Sequence, residues 1–145
     1  MRLSAKQYRE IILNENQNNI KKTRNNKYGA KPKTIKMNDE DIFFHSSGEA
    51  QRYIELSLKE KAGIIHELKR QVKIPLIVND QHISIEDKNG RLRKLNYIAD
   101  FTYKANDKMI IEDWKGFDTP VSRLKRAIVK AIIGYPVMIT GPSKK

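Results

Sequence analysis

Residues Leu95–Gly116 read LNYIADFTYKANDKMIIEDWKG, and this stretch decides the fold. Apolar and aromatic residues dominate both arms, and the polar patch Ala105–Asn106–Asp107–Lys108 between them is turn material. The pattern predicts two antiparallel strands with Asn106 and Asp107 as the loop residues, which sets Asp100 directly opposite Asp113. A four-residue loop from Ala105 to Lys108 keeps the same pairing. Side chains alternate along a strand, so Asp100, Asp113 and Lys115 are expected on one face. Ala99, Phe101, Tyr103, Ile110 and Trp114 then form the core face, which Glu112 shares.

Two carboxylates facing each other across a strand pair repel. A chain tolerates them when a cation lies between, and hard oxygen ligands of this kind suit Mg²⁺, with Mn²⁺ as the other candidate. Lys115, two residues beyond Asp113, is placed to stabilise charge on a phosphate or to help activate a water. The plainer reading makes Asp100 and Asp113 edge charges of an ordinary hairpin, with Lys115 their ion-pair partner.

Composition narrows the class. The 145 residues suffice for one domain with a core. Lys and Arg number 29 against 17 Asp and Glu, a net +12, which favours a polyanionic partner, nucleic acid first and an acidic membrane surface second. The absence of cysteine excludes disulfides and thiolate-held metals, and His45, His66 and His82 do not fall at zinc-ligand spacing. The N-terminus lacks the continuous apolar stretch of a signal peptide, and no run is long enough to span a bilayer, so a cytoplasmic protein is expected.

In chain order, Ser4 to about Lys22 has helical spacing, weakened by the Asn-rich run from Asn14 to Asn19. Asn25–Lys36 reads as a loop or arm. Met1–Lys36 holds ten Lys/Arg against two Glu, which suggests a basic arm lying along phosphates through Lys21, Lys22, Arg24, Lys27, Lys31 and Lys33. The expected division is thus residues 1–36 as a basic helix and arm and 37–145 as the folded domain.

Ile42–His45 is a short apolar strand candidate. Ser46 and Glu49 have capping-box spacing before a helix to about Ala62, with Ala50, Tyr53, Ile54, Ser57 and Leu58 as its buried stripe. Spacing favours Glu49 as a cap; a place in the cleft is the alternative. Ile64–Leu68 reads as a turn or short helix, and Val72–Val78 and His82–Glu86 as strands. Asn89–Gly90 signals a type I′ hairpin turn, with the return strand running Arg91–Tyr103. After Lys115, Thr119 and Pro120 open a helix to about Ile133 that buries Val121, Leu124, Ala127, Ile128, Ala131 and Ile132. Arg123, Lys125, Arg126 and Lys130 lie on its polar side, as a solvated face or a DNA-facing one. Tyr135–Thr140 forms a last strand, followed by a frayed tail.

The order helix, antiparallel strands, helix, strand, with acids at these places, resembles the PD-(D/E)XK nuclease superfamily over about Phe43–Thr140. More narrowly the chain resembles small phage-encoded nucleases grouped with Holliday-junction resolvases. The motifs are Ser46-x-x-Glu49-Ala50-x-Arg52-Tyr53, Gly63-x-Ile65-x-x-Leu68-x-x-Gln71, Tyr97-x-x-Asp100-Phe101-x-Tyr103 and Glu112-Asp113-x-Lys115-Gly116. The resemblance implies an α/β (α+β) restriction-endonuclease-like αβββαβ core with a mixed, largely antiparallel sheet. It implies a divalent metal on Asp100 and Asp113, with the Trp114 carbonyl as a further ligand and Glu49 at its outer side. Lys115 would position or activate the attacking water. Gln71 and Glu112 match the pattern without an assigned role, and Ala99 departs from it by standing where proline is usual.

The expected function is a Mg²⁺-dependent endonuclease of DNA, acting on branched recombination or replication intermediates in a phage-infected host cytoplasm. Arg123, Arg126 and Lys130, with the arm, would hold the backbone without reading bases. Symmetric cutting of a junction implies a homodimer. The alternative from a different class is a non-catalytic DNA-binding or architectural phage protein on the same fold.

Overall fold

The computed structural model describes residues 31–142. The expected helix from Ser4, and Lys21, Lys22, Arg24 and Lys27 of the arm, lie outside the described residues. Strand β1 (Lys33–Met37) pairs antiparallel with β2 (Glu40–Phe44). Lys33 and Lys36 therefore belong to a strand, which corrects the loop reading over Lys33–Lys36. Asn38 and Asp39 both take positive φ, the requirement of a two-residue type I′ turn. Asn79–Asp80 and Asn106–Asp107 repeat the same dipeptide and the same geometry.

Helix α1 (Ser47–Lys61) starts at Ser46, whose hydroxyl accepts from the Glu49 amide. It buries Glu49, Ala50, Leu56 and Ser57, whereas Leu58, expected inside, is 60% exposed. The packed face is thus centred one helical position away from the expected one. Beyond α1, β3 (His66–Pro75) begins where a turn or short helix was expected. Two small hairpins follow, β4 (Ile77–Val78) with β5 (Gln81–His82) and β6 (Ser84–Glu86) with β7 (Leu92–Lys94). The chain then enters β8 (Asn96–Ala105) and β9 (Lys108–Trp114), passes through helix α2 (Pro120–Ile133) and ends in β10 (Val137–Thr140).

The result is a mixed α+β fold whose four-stranded sheet has the order β10-β9-β8-β3. β8 is antiparallel to both neighbours and β10 parallel to β9. The β8–β9 register pairs Phe101 with Glu112 and Tyr103 with Ile110, as the hairpin pattern predicts. Among the described residues, no helix is long and apolar enough to cross a membrane.

The two faces of the sheet hold separate apolar clusters. Phe101, Tyr103, Ile65 and Leu68 pack with Tyr53 and Leu56 of α1. Val72, Ile74, Tyr97, Ala99, Met109 and Ile111 pack with Val129 and Ile133 of α2. Alternation alone would keep Tyr97, Ala99 and Phe101 on one face. They part company because β3 kinks at Gln71, a non-glycine residue at φ 49° between Arg70 and Val72 in the ladder. Both β3 and β8 change faces there, and Asp100 sits at the crossing.

Helix α2 is capped by the Thr119 hydroxyl, takes Pro120 at its first turn and stops at Gly134, φ 83°. Its packed residues are Val129 and Ile133, flanked by Ile128 and Ile132. Val121 and Leu124, expected in the core, are 63% and 62% exposed. Only the C-terminal half of the helix lies over the sheet's apolar cluster.

Candidate active site

Asp100 is brought to β9 by the strand register and to α1 by the kink beside it. One carboxylate oxygen accepts from the Trp114 amide at 2.7 Å, and the other from the Gln71 side-chain amide at 3.1 Å. Gln71 donates from the same nitrogen to Glu49 at 3.0 Å, so a single amide ties the two acids together. Glu49 keeps its backbone in the Ser46 cap, but its buried carboxylate turns inward, with His45 Nδ1 4.0 Å away. Glu49 thus turns its carboxylate toward Gln71 and Asp100 while its backbone serves the cap, so it is not only the cap that spacing ranked first.

Asp113 is buried on β9, where its Oδ2 accepts from the Tyr97 hydroxyl and lies 3.0 Å from Lys115 Nζ. The Lys115 side chain is 28% exposed, so its ammonium joins a buried acid to solvent. The Lys115 amide donates to the Thr140 carbonyl at 2.7 Å, which extends the parallel β9–β10 pairing past Asp113. Gly141 then crosses the Lys115 backbone so closely that a Cβ would collide with the Lys115 carbonyl. The start of the tail is packed, not frayed.

Charge is crowded here. Burial pushes the Asp100 carboxyl well above the usual carboxylate range; its bond and proximity to Asp113 and the charge of Glu49 add to the shift, and the Trp114 N–H opposes it. Burial also raises Glu49, against the opposing pull of His45, Arg70 and the Gln71 bond. Arg70 stacks on the Phe44 ring at 4.2 Å and donates to the Phe43 carbonyl at 2.7 Å, which places a half-buried guanidinium behind these acids. The Tyr97 hydroxyl is raised by burial and by Asp113.

Glu112 points to the opposite face, as alternation requires. Its carboxylate is fully buried and receives Arg52 Nε at 2.6 Å, Arg52 Nη2 at 3.0 Å, the Tyr103 hydroxyl at 2.8 Å and the Thr140 hydroxyl at 3.1 Å. Burial alone would raise it, but these donors more than offset that and hold it below its ordinary value. This network fastens α1, β8, β9 and β10 together behind the acids. On the same side Gly48 lies under the Trp114 ring, where any Cβ would overlap the indole.

Glu49 and Asp100 are therefore joined through Gln71, and Asp113 and Lys115 pair on the adjacent strand. The part of Trp114 that meets the acids is its N–H. Gln71, Arg70, Tyr97 and His45 were not assigned a role from the sequence. Gln71 had its place in a motif as a signal, while the kink that makes it useful leaves no mark in the apolar pattern. Among the described residues, no group of three or more His, Asp or Glu side chains is gathered to hold a metal ion. The donor chemistry nevertheless fits a hard cation: Asp100 and Asp113 are oxygen donors on adjacent strands, two acids beside the one ammonium of Lys115.

Of the expected backbone-binding residues, Lys31, Lys33, Arg123 and Lys130 are exposed. Arg126 is a correction: Asp118 accepts from its Nη1 at 2.8 Å and its Nη2 at 2.6 Å, and its side chain is 14% exposed. It braces the loop before α2 instead of facing outward. Beside Lys115 a cavity of about 310 Å³ opens, lined by Asn96, Tyr97, Thr119, Ser122 and Lys125 among others.

No curated protein and no solved structure matches the chain. A family model described as a protein of unknown function, DUF1064, matches residues 25–136, a span that contains Glu49, Gln71, Asp100, Asp113 and Lys115. With most of its length inside that match, the chain belongs to the DUF1064 family.

Proposed function

We propose that the protein is a metal-dependent endonuclease that cleaves DNA phosphodiester bonds, acts on branched intermediates and is encoded by a phage. The observation that carries this reading is the placing of Asp100 and Asp113 on adjacent strands, Asp100 bonded to the Trp114 amide next to Asp113 and Asp113 paired with Lys115, with Glu49 joined to Asp100 through Gln71. Such crowding destabilises the fold unless a cation relieves it, and buried, perturbed carboxylates in a cleft are a mark of functional sites. The order α1, β3, β8, β9, α2, β10, with the small hairpins inserted after β3, supports the likeness to the PD-(D/E)XK core.

Asp100 and Asp113 would hold Mg²⁺ or Mn²⁺, with Glu49 at its outer side; when bound, the ion supplies charge neutralisation at the phosphate and a more acidic water. In the hydrolysis a water oxygen forms a bond to phosphorus, the bond to the leaving oxygen breaks, and a proton passes from the water to the leaving group. Lys115 donates to a non-bridging oxygen as charge builds there, and Asp113 orients its ammonium. Gln71 keeps the Glu49 and Asp100 carboxylates aimed at each other. The Arg52–Glu112 network keeps α1 and β9 from shifting relative to one another.

A labelled four-way junction, a flap and a linear duplex, each incubated with Mg²⁺, Mn²⁺ or chelator, test the proposal. Metal-dependent cutting that Asp113→Asn abolishes while DNA binding persists is expected. A second reading, a non-catalytic DNA-binding protein, has in its favour that each acid already has a hydrogen-bonding or ionic partner within the chain. Tight binding without cutting in either metal would establish it.

A further inference from the structure

The β6–β7 hairpin is a two-stranded ribbon outside the main sheet, and an isolated ribbon of this kind is marginal in water. It is nevertheless held firmly at its root. The Leu76 amide donates to the Leu95 carbonyl at 3.1 Å, the Leu95 amide to Ile83 at 2.7 Å, and the Ile83 amide to Leu76 at 2.8 Å, which closes a ring of three backbone bonds. At its tip Asp87 Oδ1 accepts from the amides of Asn89 at 2.8 Å and Arg91 at 3.0 Å, so the turn is braced as well.

This braced ribbon exposes apolar side chains that fold stability does not explain. Leu92 is 76% exposed and Ile85 51% exposed. The register pairs Ile85 with Arg93 and Glu86 with Leu92, so Ile85 and Leu92 project from opposite faces. A patch that docks on a flat partner would gather its apolar groups on one face. An apolar group on each face suits insertion between two things. Around them stand the exposed cations Lys88, Arg91, Arg93 and Lys94, against Glu86 and Asp87. The charge complements phosphate.

We propose that the β6–β7 hairpin is a wedge that enters the branch point of a DNA junction, with Ile85 and Leu92 against the bases of the two diverging arms. Apolar side chains inserted between base steps unstack them, and contacts elsewhere offset that cost. The placement fits: β7 leads straight into β8, and the eight residues from Leu92 to Asp100 span at most about 26 Å, less than one duplex turn of about 34 Å. The intervening residues Asn96, Tyr97 and Ile98 line a cavity together with Lys115 and Lys125. The wedge rests on the reading of the chain as a DNA-engaging protein and adds the feature that would select branched substrates.

The test uses the full-length protein in chelator, so that cleavage plays no part. A four-way junction carrying 2-aminopurine at the branch point is bound in competition with linear duplex. The wild type should brighten the 2-aminopurine and prefer the junction. Leu92→Ser and the milder Ile85→Thr, both at exposed positions, should reduce that preference by about tenfold together while leaving duplex affinity unchanged. Unaltered preference and brightening in the folded variants would overturn the wedge, as would a wild type that binds both DNAs alike. Binding to vesicles of anionic phospholipid through Leu92, without DNA binding, would overturn it in favour of a membrane contact. A parallel incubation in Mg²⁺ or Mn²⁺ that gives no cutting, with the junction preference in chelator intact, would remove the nuclease reading and leave the wedge standing.

Discussion

At the scale of single residues, Asp100 is where the fold and the proposed chemistry oppose each other. Its carboxyl is held above the unfolded range by burial and by Asp113 and Glu49. A raised acid contributes stability below its unfolded pKa of about 4, and that contribution is lost as pH rises through the folded value. Asp100→Asn removes the charge while keeping an oxygen for the Trp114 amide. It should therefore stabilise the protein by about 1–2 kcal/mol at pH 8 and by little at pH 4.5, read from thermal unfolding at the two pH values. Gly48 tests the other side of Trp114. Gly48→Ala should displace the ring and destabilise the fold by about 1–3 kcal/mol. Trp114 is the one tryptophan, so a shift in intrinsic fluorescence reports the displacement.

The acids themselves were legible in the sequence, because charge inside apolar strands and the hairpin register single out Asp100, Asp113 and Lys115. Gln71 and Arg70 were not, because their roles depend on a backbone kink at φ 49° that no periodicity encodes. Glu49 stood between two readings. It satisfies the cap through its backbone and the cleft through its side chain, so spacing could not separate them.

At the scale of elements, turns and caps read well and packed faces less so. Asn106–Asp107, Ser46, Thr119–Pro120 and Gly134 all act where local chemistry puts them. Asn89–Gly90 differs: only Gly90 takes positive φ, and the Asp87 amide donates to the Arg91 carbonyl, so the loop holds three residues with a bulge at Gly90. The Asp87 side chain, by binding the Asn89 and Arg91 amides, favours that form over type I′. Helix α2 shows why faces are harder. Periodicity marks an apolar stripe, but the reach of the sheet beneath sets how much of it is covered. The element-level prediction concerns Arg52, which ties α1 to β9 through Glu112. Arg52→Met should cost about 3–5 kcal/mol in chemical denaturation, because Glu112 is left charged and buried. Adding Glu112→Leu should recover much of that loss.

At the scale of the whole molecule, a chain of net charge +12 carries a site that is itself acidic. Exposed cations lie on β1, on the β6–β7 hairpin and on α2, where the proposed function has them meet phosphates. Binding to duplex DNA should therefore weaken steeply with salt, by about tenfold or more between low and physiological ionic strength, as read by fluorescence anisotropy. The proposed function gives the chemistry to the acids and the grip to the cations, so Asp113→Asn should leave this salt dependence unchanged.

The most direct measurement of the central claim is a Mn²⁺ titration of the full-length protein by electron paramagnetic resonance, with Asp100→Asn and Asp113→Asn in parallel. The wild type should remove free Mn²⁺ from solution with one stoichiometric site, and both variants should lose it while remaining folded. Equal Mn²⁺ binding by the wild type and the two variants, or none by any of them into the millimolar range, would contradict a cation site on Asp100 and Asp113.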